Sequence, residues 1–146
     1  MKIQVKKLHP EAVVPEYKSN LAAGFDFVAL EDTHFELWET KLVRTGIAMD
    51  VGHGYQLEVR NRSGMALKTP MRVTNSPGTV DADYRGEVYI MMTMVPTQMG
   101  YSSYTIKKGE RIAQGVVMPA IMADVEVVDE LGSTERGAGG FGSTGK

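Results

Sequence analysis

The chain has 146 residues, a length suited to one domain, and 42% of them are hydrophobic, enough for a core and too many for a disordered chain. Sixteen Lys and Arg against eighteen Asp and Glu leave a net charge of -2, so the overall charge offers no footprint for nucleic acid or for an anionic membrane. The absence of Cys removes disulfide frameworks and thiolate zinc sites.

The opening stretch MKIQVKKLHP alternates apolar and charged residues and lacks the long apolar core of a signal peptide. No apolar run approaches the ~20 residues that span a bilayer. These features predict a soluble protein of the cytoplasm, or of a host's cytoplasm if phage-encoded. KIQV reads as the first short strand. AAGFDFVAL reads as an apolar strand with Asp26 set between Phe25 and Phe27. An acid in that setting needs a partner or a metal-bound water, unless it marks a turn or bulge after Gly24. HFELW and KLVRTGIAM read as two further strands. YQLEVRN then places Tyr55, Leu57 and Val59 on one face and Gln56, Glu58 and Arg60 on the other.

That strand runs into Arg62-Ser63-Gly64 and then SGMALK, the one helix candidate, of one or two turns. A Ser-Gly opening leaves backbone N–H groups free, and Arg62 adds a fork of donors, which suits a phosphate. The plainer reading is an N-capping Ser beside a solvated Arg. NSPGTVDADYRGEV, Asn75 to Val88, reads as a β-hairpin with Asp81 and Asp83 near its tip. Two apart on an extended strand, they share a face, where a carboxylate can take a proton from water. Alternatively, Asp and Gly simply make the turn. EVYIMMTMV aligns Val88, Ile90, Met92 and Met94 on one face. SYTI, RIAQGVVM and VEVV complete the strands, and Gln114 brings an amide into an apolar one, for a ligand or for neighbouring backbone. Many short strands joined by Gly- and Pro-rich turns imply an all-β barrel or sandwich. The three His are scattered without ligand spacing. The Met residues and Trp38 are expected in the core or at an interface.

Composition changes near Gly132, separating a domain over residues 1–131 from a Gly-, Ser- and Thr-rich arm over 132–146. The stretch GFGSTGK fits G-x-x-x-x-G-K, but a P-loop also needs a strand before it, a Ser or Thr after the Lys and a helix beyond. Lys146 is the last residue of the sequence, so that context is missing. Gly, Ser, Thr and Arg can still wrap phosphates once a ligand orders them. Phe141 suits a lid that stacks on a base, and a merely disordered tail is the alternative.

Taken in order, AGFDFVA, RSGMALK, NSPGTVDADYRGEV, KGERIAQGVV and RGAGGFGSTG closely resemble the five motifs of the trimeric dUTPases, from about Ala23 to Gly145. The third and fifth blocks are the most specific, and one departure is Asn61, where the family usually has Pro before Arg-Ser-Gly. The resemblance implies a jelly-roll-like β-barrel with one short helix and a flexible Gly-rich C-terminal arm. It implies Mg²⁺-dependent hydrolysis of dUTP to dUMP and pyrophosphate by water attack on the α-phosphate. That activity limits uracil in DNA and supplies dUMP for thymidylate synthesis. It also implies a homotrimer with active sites shared between subunits, each arm closing a site formed by the other two.

By similarity, Asp81 holds the attacking water as general base and touches the sugar 3′-OH. Tyr84 lies against the deoxyribose and leaves no room for a 2′-OH. Asn75 and the backbone around Thr79, Val80 and Tyr89 read the uracil edge. Arg62, Ser63, Gly64 and Gln114 hold the phosphates and the water, and Asp26 faces Mg²⁺ through water. Arg136, Ser143 and Thr144 clamp the outer phosphates while Phe141 stacks on the uracil. The dCTP deaminases are similar in fold, but they carry a catalytic Glu about ten residues beyond the hairpin Asp, where this chain has Ile90-Met91-Met92, which cannot move a proton. A nucleotide-sensing protein on the same scaffold would bind without turnover; the intact Asp81 and arm favour catalysis.

Overall fold

The alternation in the sequence becomes a set of short antiparallel strands in a computed structural model that describes residues 1–140. In chain order these are β1 (Gln4–Lys7), β2 (Phe25–Val28), β3 (Thr33–Glu36), β4 (Thr40–Val43), β5 (Ile47–Asp50) and β6 (Tyr55–Asn61). Helix α1 (Ser63–Lys68) follows, then β7 (Met71–Val73), β8 (Gly78–Val80), β9 (Ile90–Met94), β10 (Ser103–Ile106) and β11 (Arg111–Pro119). Pairing sorts them into four sheets, β1-β5, β10-β3, β2-β11-β6-β8 and β4-β9-β7. One buried apolar cluster draws on all four, with Phe25, Phe27, Phe35, Leu57, Met71 and Ile106 among its members. Val88, Ile90, Met92 and Met94 enter it from one face, as their spacing requires. Each such side chain contributes roughly 1.5–3 kcal/mol over an exposed one. Met49, Met65 and Met71 are buried there too.

The fold is all-β with one short helix, but among the described residues no ladder joins the four sheets into a closed barrel. One cause lies in KLVRTGIAM, which is two strands and not one. Gly46 adopts a φ of 68°, and the buried Thr45 hydroxyl donates to the Val88 carbonyl at 2.7 Å while accepting from the Ile47 N–H. The chain turns there, so β4 and β5 join different sheets. The third motif is likewise not a hairpin. β8 pairs with β6, in a register that sets Leu57 opposite Val80, whereas β9 pairs with β4 and β7. Residues 81–87 therefore connect two sheets, and Asp81 and Asp83 lie in a turn, where the Tyr84 N–H donates to the Asp81 carbonyl.

VEVV forms no strand. Residues 120–140 carry no ladder, and Val125 and Val127 are more than 90% exposed. Alternation gives a segment the capacity to pair, and among the described residues nothing supplies the partner. Trp38 is not in the core either. It sits two-thirds exposed in the turn between β3 and β4 with a φ of 69°. Among the described residues no helix is long and apolar enough to cross a membrane.

Candidate active site

Asp26 lies on the outer face of β2, opposite Gln114 of β11, while its neighbours Phe25 and Phe27 fill the core. Its carboxylate takes two guanidiniums. Arg62 Nε donates to Oδ1 at 2.7 Å, and Arg111 Nη1 donates to Oδ2 at 3.0 Å. Arg62 also donates to the Arg111 carbonyl at 2.9 Å. A bulge in β11 between Arg111 and Ala113 makes this possible. Residues three apart on a regular strand face opposite ways, and the extra residue brings Arg111 to the face that carries Gln114. The Asp26 side chain is only 15% exposed, so two cations are held around a partly buried anion with one positive charge in excess. That excess suits an anionic ligand.

The rest of this end is backbone. Arg62, not Ser63, is the N-cap residue of α1, and Ser63 is the first residue of the helix. The first intrahelical bond runs from the Ala66 N–H to the Arg62 carbonyl. Ser63, Gly64 and Met65 therefore have no carbonyl one turn earlier within the helix for their N–H groups. Gln114 donates its amide to the Asn61 carbonyl at 2.9 Å, so part of its side chain satisfies neighbouring backbone.

A second feature is a cavity of about 290 Å³ lined by Leu42, Thr79, Val80, Asp81, Tyr84, Glu87, Val88 and Tyr89. That is near the lower end of the range for small-ligand sites, about 300–1,000 Å³. Asp81 also lines a neighbouring cavity with His53, Tyr55, Gln56 and Met122, so its exposed side chain stands between the two. Beneath, Glu87 is tied down. Its carboxylate accepts from the Arg44 guanidinium and from the Gly46 N–H at 2.8 Å. Burial pushes the Glu87 carboxyl up, but the Arg44 hydrogen bond and charge and the Gly46 N–H outweigh it and hold it below the usual carboxylate range. Arg85 folds back to the Ala82 and Tyr84 carbonyls and pairs with Asp50. The Tyr84 hydroxyl donates to the Glu87 carbonyl at 2.9 Å.

The two features sit at opposite ends of β6. Val80, next to Asp81, pairs with Leu57, and Arg62 lies five residues further on, about 17 Å along an extended strand.

A family model described as dUTPase matches residues 10–145. The chain belongs to the dUTPase family. It is 47% identical over 146 residues to the deoxyuridine 5'-triphosphate nucleotidohydrolase of Nautilia profundicola, covering all of both chains. The enzyme of the same name from Wolinella succinogenes is 49% identical, over all of this chain and 95% of its own. Among solved structures, a point mutant of the Staphylococcus bacteriophage 80alpha dUTPase, with dUpNHpp, superposes with a TM-score of 0.90 at 29% identity over 99% of both chains. A point mutant of the dUTPase from phage phi11 of S. aureus, described with a structural Mg(II) ion, gives 0.82 at 25% identity over 91% of this chain and all of its own. The dUTPase reaction is the hydrolysis of dUTP, and the chain is accordingly a nucleotide hydrolase of this family.

Within a dUTPase chain the expected residues thus fall into two groups. Asp26, Arg62, Ser63, Gly64 and Gln114 gather at one end, and Thr79, Val80, Asp81, Tyr84 and Tyr89 line the cavity. Asn75 is outside that lining; it stands in the turn before β8 with its amide against Gly78. Arg136 is exposed and donates to the Gly139 carbonyl at 2.8 Å. Phe141, Ser143 and Thr144 lie outside the described residues. Sequence reasoning missed Arg111, Glu87 and Leu42. Arg111 and Glu87 had a signal, each being a charge directly beside a buried apolar residue, Ile112 and Val88. Leu42 had none.

Proposed function

We propose that the chain hydrolyses dUTP to dUMP and pyrophosphate in a site shared between subunits of a homotrimer. The observation that supports this is the division across β6: the cation-rich end and the Asp81 cavity lie about 17 Å apart along one chain, a separation that a neighbouring subunit can close. The cavity of one subunit meets the Asp26–Arg62–Arg111 end of another, and the arm of a third covers both. In that assembly the four sheets form a jelly-roll-like barrel over residues 1–131, with 132–146 as the arm. The single continuous core supports this. A protein without Cys also suits a reducing cytoplasm.

The nucleotide lies with uracil against Thr79, Val80 and Tyr89, deoxyribose against Tyr84, and the triphosphate along Arg62, Ser63, Gly64 and Gln114. Asn75 joins the base contacts through the turn it anchors. Asp81 takes a proton from a water whose oxygen attacks the α-phosphorus. The bond from that phosphorus to the oxygen bridging the β-phosphate breaks, and pyrophosphate leaves with the electron pair. Arg62 neutralises charge developing on the phosphates. Arg136, Ser143 and Thr144 hold the outer phosphates and Phe141 stacks on the base. A lid that orders only over three phosphates favours substrate over dUMP, because the product offers fewer contacts to offset the entropy of ordering.

The residues fit Mg²⁺ only at a distance. Among the described residues no group of three His, Asp or Glu could hold a metal. Asp26 accepts one guanidinium on each oxygen, and each oxygen keeps a lone pair that can accept from metal-bound water. Mg²⁺ carried in by the triphosphate supplies further neutralisation of its oxygens.

The test is turnover of dUTP beside UTP, TTP and dCTP with Mg²⁺, following pyrophosphate and ammonia separately. Pyrophosphate from dUTP alone is expected. Ammonia from dCTP replaces the reading with a deaminase, and binding without any product replaces it with a nucleotide sensor.

A further inference from the structure

We propose that Gly86 is a specificity-positioning residue: its missing side chain leaves the space in which the Tyr84 hydroxyl reaches the Glu87 carbonyl, and this tether sets the ring where it rejects ribose. The inference rests on the reading of Tyr84 as the face that meets the sugar.

Gly86 is not needed for its backbone conformation. Among the described residues the glycines of positive φ are Gly46, Gly52, Gly54, Gly100, Gly109 and Gly137, and Gly86 is not one of them. What Gly86 supplies is space. A Cβ there would overlap the Tyr84 hydroxyl oxygen and lie 2.6 Å from Cζ and 3.0 Å from Cε2. One of the two must give way, and the backbone is the worse candidate. Glu87 is anchored by Arg44 and by the Gly46 N–H, and Val88 is anchored on both sides, its N–H to the Ile47 carbonyl and its carbonyl to the Thr45 hydroxyl. Tyr84 is 44% exposed, and its ring can swing toward solvent. A methyl group at position 86 therefore moves the ring, breaks its 2.9 Å bond to the Glu87 carbonyl, and leaves the cavity otherwise intact.

The difference between deoxyribose and ribose is one oxygen atom, so exclusion depends on ring placement to a fraction of an ångström. An exposed Tyr held only by its Cα–Cβ hinge rotates freely among rotamers. The tether removes that freedom, and Gly86 makes the tether possible.

The experiment compares kcat/KM for dUTP and UTP in the Gly86→Ala, Tyr84→Phe and Tyr84→Ala proteins, with Tm for each. Gly86→Ala is expected to fold with an unchanged Tm to within a few degrees and to lose about 10-fold or more of the dUTP-over-UTP selectivity. Tyr84→Phe, which keeps Gly86 and loses only the tether, is expected to lose about 3-fold or more. A loss of stability alone lowers both substrates together and does not move the ratio. Unchanged selectivity in folded Gly86→Ala, or in Tyr84→Phe, overturns the proposal. If Gly86→Ala fails to fold, Tyr84→Phe decides alone. Unchanged selectivity in Tyr84→Ala instead overturns the prior reading that Tyr84 faces the sugar.

Discussion

In the proposed site the two ends of β6 solve different recognition problems with different materials. At one end, Asp26, Arg62 and Arg111 make a charged cluster whose anion is 15% exposed and whose bonds are all charge-assisted. At the other, Asp81 and Tyr84 are exposed, and the loop that carries them is fastened by the Tyr84 hydroxyl to the carbonyl of an anchored strut, Glu87, and by Arg85 to the Ala82 carbonyl and Asp50. Phosphate recognition acts through charge. It is strong, it falls off slowly with distance, and small displacements cost little. Recognition of a base and of a missing hydroxyl acts through shape, where a fraction of an ångström decides the outcome. The charged end can therefore be built from long side chains that need an anion to keep them extended. The shape-reading end needs a short loop whose geometry its own turn and neighbours fix.

The largest effect sits on the shape-reading end. Asp81→Asn keeps size and hydrogen-bonding reach but cannot take the proton, so kcat should fall about 10²–10⁴-fold while the affinity for dUTP changes little. Near-normal turnover removes Asp81 from its role. The same variant tests whether the two ends belong to different subunits. Mixed with inactive Arg62→Gln protein under conditions that exchange subunits, it should regain about one quarter of wild-type activity, since a random trimer pairs an intact Asp81 with an intact Arg62 at that frequency. No recovery on demonstrated exchange means that both ends serve the same nucleotide from one chain.

Next in size is Asp26→Asn at the charged end. If Asp26 chiefly holds Arg62 and Arg111 in place, a non-hydrolysable dUTP analogue should bind about 10-fold more weakly even in EDTA, because the guanidiniums lose a charged partner. If Asp26 acts chiefly through metal-bound water, the metal-free affinity stays unchanged and only the Mg²⁺ concentration needed for turnover rises. Titration calorimetry with and without Mg²⁺ separates the two.

The same contrast explains what could be read in advance. The face of Val88, Ile90, Met92 and Met94 was legible, because period-two burial is a property of neighbours in sequence. So was SGMALK, which is α1 residue for residue. The pairing of β8 with β6 instead of β9 was not legible, because alternation states that a strand has a buried face and not which strand lies beside it. Asp26 was recognised as an acid in need of a partner. Its partners, 36 and 85 residues away, depend on a bulge in β11 that leaves no mark in composition. The roles proposed for Asp81 and Tyr84 came from the order of motifs, since contact with a ligand satisfies no rule of folding.

The smallest effect tests the strut itself. Glu87 has a side chain 8% exposed, and its carboxyl is held below the usual range because the Arg44 bond and the Gly46 N–H outweigh burial. A carboxylate with a lowered folded pKa contributes stability above its unfolded pKa and loses it as pH falls through the folded one. At pH 7, Glu87→Gln should therefore cost about 1–2 kcal/mol, with the Arg44 end of the pair partly screened by solvent. As the pH falls below about 4.5, the usual value that Glu87 has in the unfolded chain, the wild-type advantage should begin to shrink, and it is lost as the pH passes through the lower folded value, where Glu87 is protonated in the native protein too. Tm measured for both proteins from pH 7 to pH 3 reads this directly. A gap that stays constant over that range means that the strut works through packing and neutral hydrogen bonds, and the loop would then owe its position to shape alone.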